Sequence, residues 1–274
     1  MNFVGYIFGA EDSQRYIDWL ETDTGRAALE IEKELLLRLW APANPQRVLE
    51  VGCGIGSFLA WFSELGHQVT GLDPSPVAVN RARERLPERV ILDKGYAEDL
   101  PYEDNAFDTV ALITTLEFVD NPLEAMREAF RVARRQVLLG VLNKYSIPTG
   151  QRYLEGLWKR SIYQRARFFG VFELQRLVRK ALLGSVPVCW RTCLALPMST
   201  LRFFYFLERS KYFQWHPFGH FIGMRIDISY PVQTVQDPLF CDLPAGMGHA
   251  HFHGSCLRSP ANANVRQPSC GSRV

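Results

Sequence analysis

The sequence of 274 residues carries 31 Lys and Arg against 29 Asp and Glu, a formal net charge of +2. This near balance favours no nucleic-acid partner, because nucleic-acid binding normally uses a strongly basic surface. The hydrophobic share of 47% is ample for a sizeable core, and no run approaches the roughly 20 apolar residues of a membrane span. We therefore expect a globular chain without stable membrane insertion.

The N-terminus and the cysteines favour a cytoplasmic protein. Residues 1–6 lack the basic and long apolar regions of a signal peptide. The six cysteines are scattered and form no Cys-x-x-Cys pair, so they are most simply reduced thiols.

Apolar residues keep a rough helical period over residues 11–40, with a break at residues 22–25. This pattern predicts two helices, and Pro42 and Pro45 should end the second one. The first helix is short and rich in aromatic residues. It either packs on the edge of the domain or covers a ligand as a lid.

A glycine turn follows the helices. Residues 47–51 form a short apolar run that predicts a buried parallel strand, and residues 58–62 continue with helical spacing. Gly52, Gly54 and Gly56 stand between them at alternate positions. A strand-to-helix turn of this kind needs positive φ and close backbone approach, and it directs free N–H groups at a ligand. The stretch therefore predicts a cofactor cradle.

Two acids narrow the choice of cofactor. Asp73 ends the next predicted strand, residues 68–73, about 20 residues past the first glycine, where an acid holds ribose hydroxyls. A nicotinamide cofactor would satisfy that much. However, the spacing is Gly-x-Gly-x-Gly, and Glu50 precedes the first glycine by two residues. A carboxylate there repels a pyrophosphate but suits an ammonium or sulfonium charge.

The next elements alternate between helix and strand. The patterns predict helices over residues 76–86 and 122–133, strands over 90–92, 107–113 and 137–142, and a loop over 94–101. Five βα units with short connections indicate an α/β fold with a parallel, doubly wound sheet. Ligands of such sheets bind outside the carboxyl ends of the strands. Glu117 follows one of those ends, so it either faces the reacting centre or caps the helix that begins near Pro122.

Four blocks of this sequence, residues 48–58, 71–75, 97–102 and 107–108, resemble a class I S-adenosylmethionine-dependent methyltransferase. Within that class the chain is similar to the small-molecule branch typified by ubiquinone and menaquinone methyltransferases. The resemblance covers roughly residues 45–145. It implies a Rossmann-like, mostly parallel seven-stranded sheet with helices on both faces, an N-terminal helical lid, and a last strand antiparallel to the sixth.

The resemblance also implies a site for S-adenosylmethionine. Tyr96 stands where the family has Asp or Asn, so it should stack on the adenine ring instead of accepting its amino hydrogen. Arg26 is a candidate for the methionine carboxylate. The expected cofactor contacts are Glu50, Gly52, Cys53, Gly54, Gly56, Asp73, Pro74, Tyr96, Ala97, Glu98, Thr114 and Thr115.

Methyl transfer by this class needs no metal and no covalent intermediate. A base is useful where the acceptor is a hydroxyl or an acidic carbon, and the candidates are Glu117, Tyr163 and His216.

The C-terminal half is rich in aromatic residues. Residues 143–170 interleave them with Arg and Lys, which suits nucleic acid, a membrane surface or anionic-substrate patch, or an insertion that roofs the active site. We favour the roof. A second aromatic-rich piece spans residues 200–217, and the patterns predict a helix over 172–178 and strands over 186–194 and 218–226.

Residues 237–274 have no periodic apolar pattern and are expected to be irregular. We expect no metal there, because the spacing matches no regular finger. The cysteines and histidines that raise the question are Cys241, His249, His251, His253, Cys256 and Cys270. The expected division is a methyltransferase domain, residues 1–236, with lid helices 11–40, core 45–142, cap insertion 143–170 and C-terminal helix and strands 171–230.

The combined expectation is a methyltransferase that acts on an aromatic or partly apolar small molecule. Two alternatives stay open, a cofactor-binding or partner protein without turnover and an NAD-dependent oxidoreductase. The acceptor and the oligomeric state are left open by the sequence.

Overall fold

The structure is a computed structural model that describes residues 5–146, 165–184, 186–197 and 200–228, all within the unit Met1–Ser229. Seven helices lie in this part of the chain: α1 (Ala10–Leu20), α2 (Asp23–Trp40), α3 (Ser57–Glu64), α4 (Pro76–Arg85), α5 (Pro122–Val132), α6 (Val171–Ala181) and α7 (Leu201–Glu208). The strands are β1 (Arg47–Val51), β2 (Gln68–Asp73), β3 (Ile91–Lys94), β4 (Phe107–Ile113), β5 (Ala133–Leu142), β6 (Val188–Cys193) and β7 (Phe221–Asp227).

The strands form one sheet in the order β3-β2-β1-β4-β5-β7-β6. Strands β1 to β5 pair in parallel, and β7 lies antiparallel between β5 and β6. Leu142 at the end of β5 faces Phe221 at the start of β7, which in turn faces Cys193 at the end of β6. The carboxyl ends of the parallel strands and the amino end of β7 therefore share one edge of the sheet. The expected α/β fold, with seven mostly parallel strands, is confirmed.

Helices cover both faces of the sheet, as the strand alternation requires. Leu49 packs in a cluster with residues of α5 and α6, whereas Val48 packs in a second cluster with residues of α2 and α3. Neighbouring strand residues point to opposite faces, so β1 contributes to both clusters. This double burial explains why the strands read as nearly continuous apolar runs.

Side-chain caps fix several helix ends. Thr22 accepts a hydrogen bond from the Gly25 N–H at 3.0 Å, which starts α2 at the predicted break. Asn121 accepts from the N–H groups of Leu123 and Glu124 at 3.2 and 3.3 Å, and Pro122 occupies the first turn of α5. The cap of α5 is therefore Asn121, so the suggestion that Glu117 caps this helix is wrong.

Some elements differ from the sequence-based expectation. Strand β5 begins at Ala133 instead of residue 137, because exposed Arg134 and Arg135 interrupt the apolar run at its start. Helix α7 was not predicted, since its nearly unbroken apolar sequence shows no 3.6-residue period. Cys189 is disulfide-bonded, so the prediction of reduced thiols is wrong for that residue; sequence spacing does not report which sulfurs a fold brings together.

Within the described ranges, no helix combines the length and the apolar character that crossing a bilayer requires.

Candidate active site

A cavity of about 330 Å³ lies at the carboxyl ends of β1, β2 and β4, a size within the usual range of small-molecule pockets. Its walls come from the glycine turn, the end of β2, the loop after β3, the end of β4 and the segment that precedes α1. The lining residues are Gly5, Tyr6, Ile7, Phe8, Gly52, Leu72, Asp73, Pro74, Tyr96, Ala97, Glu98, Thr114, Thr115, Phe118, Val119 and Asp120.

The glycine turn reaches this cavity through Gly52. Gly52, Gly54 and Gly56 have φ angles of 74°, 53° and 82°, a conformation that side chains disfavour. A Cβ atom on Gly52 would lie 2.5 Å from the Thr115 side chain, whereas one on Gly54 would meet no atom within 4 Å. The backbone at Gly54 therefore borders open space that a ligand can enter.

Asp73 ties the end of β2 to the turn. Its carboxylate oxygens accept hydrogen bonds from the N–H groups of Gly54 and Ser75, both at 2.8 Å. Burial raises the pKa of Asp73, and the two N–H groups oppose that rise. The carboxylate is thus held in one orientation at the cavity wall with acceptor capacity to spare.

Glu50 lies beneath the turn and is 2% exposed. One of its carboxylate oxygens, Oε2, has no hydrogen-bond partner. Burial and the neighbouring charge of Asp73 raise its pKa well above the usual value, against an N–H bond from Leu59. A buried oxygen without a partner is costly, so this position favours a nearby donor or positive charge.

The end of β4 carries backbone strain. Thr114 has a φ of 53°, which is rare for a β-branched residue, and its N–H donates to the Gly140 carbonyl at 2.7 Å. The Thr115 hydroxyl donates to the Val51 carbonyl at 2.8 Å, so it links β4 to β1 below the cavity. Strain of this kind persists where surrounding contacts enforce it and concentrates at functional sites.

Residues 5–8, which we call the strap, cross the cavity from the end of β4 to the end of β2. The N–H of Tyr6 donates to the Phe118 carbonyl at 2.7 Å, and the Phe8 carbonyl accepts from the Ser75 hydroxyl at 2.7 Å. The rings of Phe8 and Phe118 meet edge to face at 4.8 Å. The strap therefore forms a wall of the site, which sequence reasoning missed.

The strap continues into α1 through an anchored turn. The Tyr6 hydroxyl donates to Asp12 at 2.6 Å, and the Gly9 N–H donates to the same oxygen at 3.0 Å. The only signal for this arrangement in the sequence is the pair of aromatic residues, Tyr6 and Phe8, before the first helix.

Residues 49–140 match the family model described as "Methyltransferase domain". Among solved structures, a methyltransferase from Thermotoga maritima titled a possible histamine N-methyltransferase is 28% identical, with a TM-score of 0.64; 79% of this chain and 95% of that chain are covered. A ubiquinone biosynthesis O-methyltransferase of Pseudomonas fluorescens is 23% identical over 70% of this chain and 79% of its own length.

Residues 49–140 thus match a methyltransferase domain, and the chain is similar to S-adenosylmethionine-dependent methyltransferases. An uncharacterised protein of Methanocaldococcus jannaschii is 33% identical over 49% of this chain. That match spans 62% of the relative's length, and a match to a mycobacterial methyltransferase spans 41%, so the chain covers less than two thirds of these relatives.

S-adenosylmethionine, on which the Thermotoga maritima relative depends, fits the described cavity. Its sulfonium and ammonium charges suit the unpartnered Oε2 of Glu50. Three carboxylates, Asp73, Glu98 and Asp120, and no basic side chain stand among the described lining residues. The open space beside Gly54 leaves room for the ligand's approach to the backbone.

Eight of the twelve expected cofactor residues line the cavity. These are Gly52, Asp73, Pro74, Tyr96, Ala97, Glu98, Thr114 and Thr115. Tyr96 is 55% exposed at the mouth, consistent with a ring that stacks on a ligand. The other four, Glu50, Cys53, Gly54 and Gly56, form the turn and the strand beneath it. Burial raises the pKa of the Cys53 thiol, so it stays protonated.

The expected catalytic residues lie elsewhere or outside the described ranges. The Glu117 carboxyl is fully buried and accepts from the Leu142 N–H at 2.6 Å, so it does not line the cavity. The His216 ring packs on Phe213 and Phe218. Tyr163 falls outside the described residues, as do the cysteines and histidines of residues 237–274.

Arg26 does not reach the cavity. Its guanidinium is 60% exposed and pairs with Asp23 at 2.7 Å, while it also donates to the Glu21 carbonyl. The role suggested for it at the cofactor carboxylate is therefore not met in this structure.

Proposed function

We propose that the protein transfers the methyl group of S-adenosylmethionine to an aromatic or partly apolar small molecule. The observation that supports this most is the cavity itself, which Gly52 of the glycine turn and Asp73 line and beneath which the unpartnered Glu50 oxygen is buried. Their arrangement suits a ligand that carries both a ribose and a positive charge.

Each wall of the cavity has a proposed task in binding. The backbone at Gly52 and Gly54 would lie against the methionine part, with Glu50 near its ammonium, while the two N–H groups keep their bonds to the Leu72 carbonyl and Asp73. Asp73 would accept hydrogen bonds from the ribose hydroxyls, which leaves its bonds to Gly54 and Ser75 intact. Tyr96 would stack on the adenine, while the backbone near Ala97 would read its edge.

The cofactor supplies a methyl group that its sulfonium already makes electrophilic. What the chain contributes is positioning of the acceptor and exclusion of water. The strap, fastened to Phe118 and Ser75, would close the site over both reactants. We assign no direct proton transfer to Glu117 or His216, because neither lines the described cavity; Tyr163 stays a prediction.

Aromatic side chains support the acceptor class. Tyr6, Phe8, Tyr96 and Phe118 line the cavity. The relatives' names include an N-methyltransferase and an O-methyltransferase, so both nitrogen and oxygen remain candidate acceptor atoms. The lack of a nucleic-acid partner remains a prediction from charge. A cytoplasmic location also remains a prediction, and the disulfide at Cys189 counts against the cysteine argument for it.

Calorimetric titration with S-adenosylmethionine, S-adenosylhomocysteine and NAD tests the cofactor. Binding of both sulfur compounds at micromolar concentrations, without NAD, supports the proposal; NAD binding alone would favour the oxidoreductase. Incubation of cell extracts with methyl-labelled cofactor then tests turnover. Tight binding without a labelled product in any extract would favour the non-catalytic alternative.

A matched pair of glycine variants localises the binding site. Gly54 and Gly66 have φ angles of 53° and 85°, and a Cβ atom on either would meet no atom within 4 Å. Gly54→Ala and Gly66→Ala should therefore cost similar stability, about 1–2 kcal/mol each. Only Gly54→Ala should abolish cofactor binding, since Gly66 lies in the turn before β2, away from the cavity. Equal binding by both variants would refute the proposed cradle.

A further inference from the structure

The connection between β6 and β7 exposes aromatic rings to an unusual degree. Eight of the twenty residues 201–220 are Phe, Tyr or Trp, against 12% in the whole chain. Phe206 is 89% exposed, Tyr212 80%, Phe218 59% and Trp215 58%. Single exposed apolar residues are normal on a protein surface, but a concentration of this kind marks an interaction site.

Buried polar contacts hold this connection in place. Glu208 is fully buried, and its two carboxylate oxygens accept from the N–H groups of Leu194 and Leu196 at 2.8 and 2.9 Å. The Asn143 side chain donates to the Pro217 carbonyl at 2.7 Å. The rings are thus displayed by an anchored platform, which argues against local fraying as the reason for their exposure.

Further exposed rings stand at the same edge of the sheet. Tyr145, which is 62% exposed, follows the end of β5, and Phe172, which is 73% exposed, lies in the first turn of α6. The β6–β7 connection leaves and returns at this edge, the edge that holds the cofactor cavity. We call Tyr145, Phe172, Tyr212, Trp215 and Phe218 the aromatic rim.

Cations accompany three of these rings. The Lys144 ammonium lies 5.0 Å from the centre of the Tyr145 ring and also pairs with Glu173. The Lys211 ammonium lies 5.2 Å from the Tyr212 ring, and the Arg191 guanidinium lies 5.2 Å from the Trp215 ring.

Within residues 200–220 there is a single acid, Glu208, and its buried carboxylate is bonded to backbone N–H groups. The described part of this connection therefore presents rings and positive charge together.

We propose that the aromatic rim docks on the surface of an anionic lipid bilayer. Tyr and Trp rings settle at the headgroup level of a membrane, where Lys and Arg beside them attract anionic lipids. Because the rim shares an edge with the cavity, docking turns the active site toward the bilayer. In that orientation the active site would receive an amphipathic acceptor from the bilayer. This statement about the acceptor rests on the proposed function, whereas the docking itself does not.

Charge favours a bilayer over a nucleic acid as the occupant. Nucleic-acid affinity comes largely from cations that neutralise several phosphates, and the net charge of +2 supplies few of them. Binding to a bilayer instead gains free energy mainly from burial of the rings, and each cation adds a smaller amount.

Sedimentation of the full chain with lipid vesicles tests the proposal, without cofactor or acceptor. One set of vesicles is pure phosphatidylcholine, and the other contains about a third phosphatidylglycerol. We expect binding to the anionic vesicles, weakened by salt. Trp215→Gln with Phe218→Ser, and separately Lys211→Glu, should each lower the partition coefficient about tenfold.

Ile91→Thr is the matched control, because Ile91 is also 58% exposed but lies on β3, at the opposite side of the sheet. It should bind as the wild type does, and melting curves identify any variant that has not folded. Lys211→Glu changes an exposed side chain, so it tests docking even where the double variant fails to fold.

Several outcomes would overturn docking. They are no binding to either kind of vesicle, equal binding by the rim variants, and binding of a single-stranded oligonucleotide that the rim variants lose. A change from dimer to monomer in the rim variants during sedimentation velocity would also overturn it, because the rim would then be an interface between copies. Failure of methyl transfer with normal vesicle binding would sink only the proposed function.

Discussion

Replacement of Glu117 by Gln should remove one source of the pH dependence of the free energy of unfolding. Burial raises the pKa of Glu117 from its ordinary 4.5 to about 8, against the lowering effect of the Leu142 N–H bond. Between these values the folded state keeps the proton, while the unfolded state has released it. The folded state therefore binds more protons, and the free energy of unfolding falls as pH rises through this window.

The size of the effect follows from the width of the window. At about 1.4 kcal/mol per pH unit, this one carboxyl costs the folded state up to about 5 kcal/mol by the upper end of the window. Glutamine cannot ionise, and its carbonyl oxygen still accepts the Leu142 N–H. Near pH 5 the variant and the wild type should be about equally stable. Near pH 8.5 the Glu117→Gln variant should be more stable than the wild type by about 3–5 kcal/mol.

Urea denaturation at both pH values measures this difference, provided that unfolding is two-state. Glu50 also has a raised pKa and is present in both proteins, so it adds its own pH dependence to each. The quantity to compare is therefore the difference in the free energy of unfolding between the variant and the wild type at each pH. Glu84→Gln, on the exposed side of α4, is the control and should leave the curve unchanged. A stability difference for Glu117→Gln that stays constant between the two pH values would refute the reasoning.

Three further predictions concern the cavity and its supports. Asp73→Ala should weaken S-adenosylmethionine binding by about 1–3 kcal/mol in calorimetry, through lost charged hydrogen bonds; unchanged affinity would remove Asp73 from the site. Asn121→Ala should lower the free energy of unfolding by about 1 kcal/mol in urea without altering affinity, because it removes the α5 cap. Phe8→Ala should speed cofactor release in stopped flow by about fivefold, because the strap loses its edge-to-face contact with Phe118 worth about 1 kcal/mol.

Matched controls accompany two of these changes. Phe206→Ala removes an 89% exposed ring and should leave cofactor release unchanged, so equal effects at Phe8 and Phe206 would argue against the strap as a gate. For the helix cap, Asn121→Asp should retain most of the stability, since Asp is an equally good N-cap residue. Loss of stability by both cap variants would point to a role of Asn121 other than capping.

The sequence predicted the part of the site that local chemistry determines. The glycine turn, Glu50 and Asp73 lie within two consecutive βα units, so strand period and turn residues were enough to place them together. The same holds for the ends of α2 and the approximate positions of the first five strands along the chain. Such features are written within short stretches of chain.

The strap and the position of Glu117 depend on contacts between distant residues. The Tyr6 N–H donates a hydrogen bond to the carbonyl of Phe118, more than a hundred residues away, and no local sequence pattern predicts that pairing. Glu117 follows Thr115 at the correct edge of the sheet, yet its carboxyl turns inward to the Leu142 N–H of a neighbouring strand. Thr115 lines the cavity and Glu117 does not, and this difference depends on the backbone conformation just after β4. At Thr114 that backbone has a positive φ, which β-branched residues seldom adopt.

The two halves of the active site therefore differ in how they are encoded. The cofactor half is built from strand ends and one glycine turn, and short sequence blocks specify it. Under the proposed function the acceptor side depends on the strap, which reaches the sheet edge from elsewhere in the chain and lines the cavity. The β6–β7 connection shares that edge of the sheet. Neither segment carries a motif, only aromatic residues, joined by basic residues in the β6–β7 connection. For this reason the acceptor has to be sought through the surface that these segments form, and vesicle binding by the aromatic rim is the most direct way to begin.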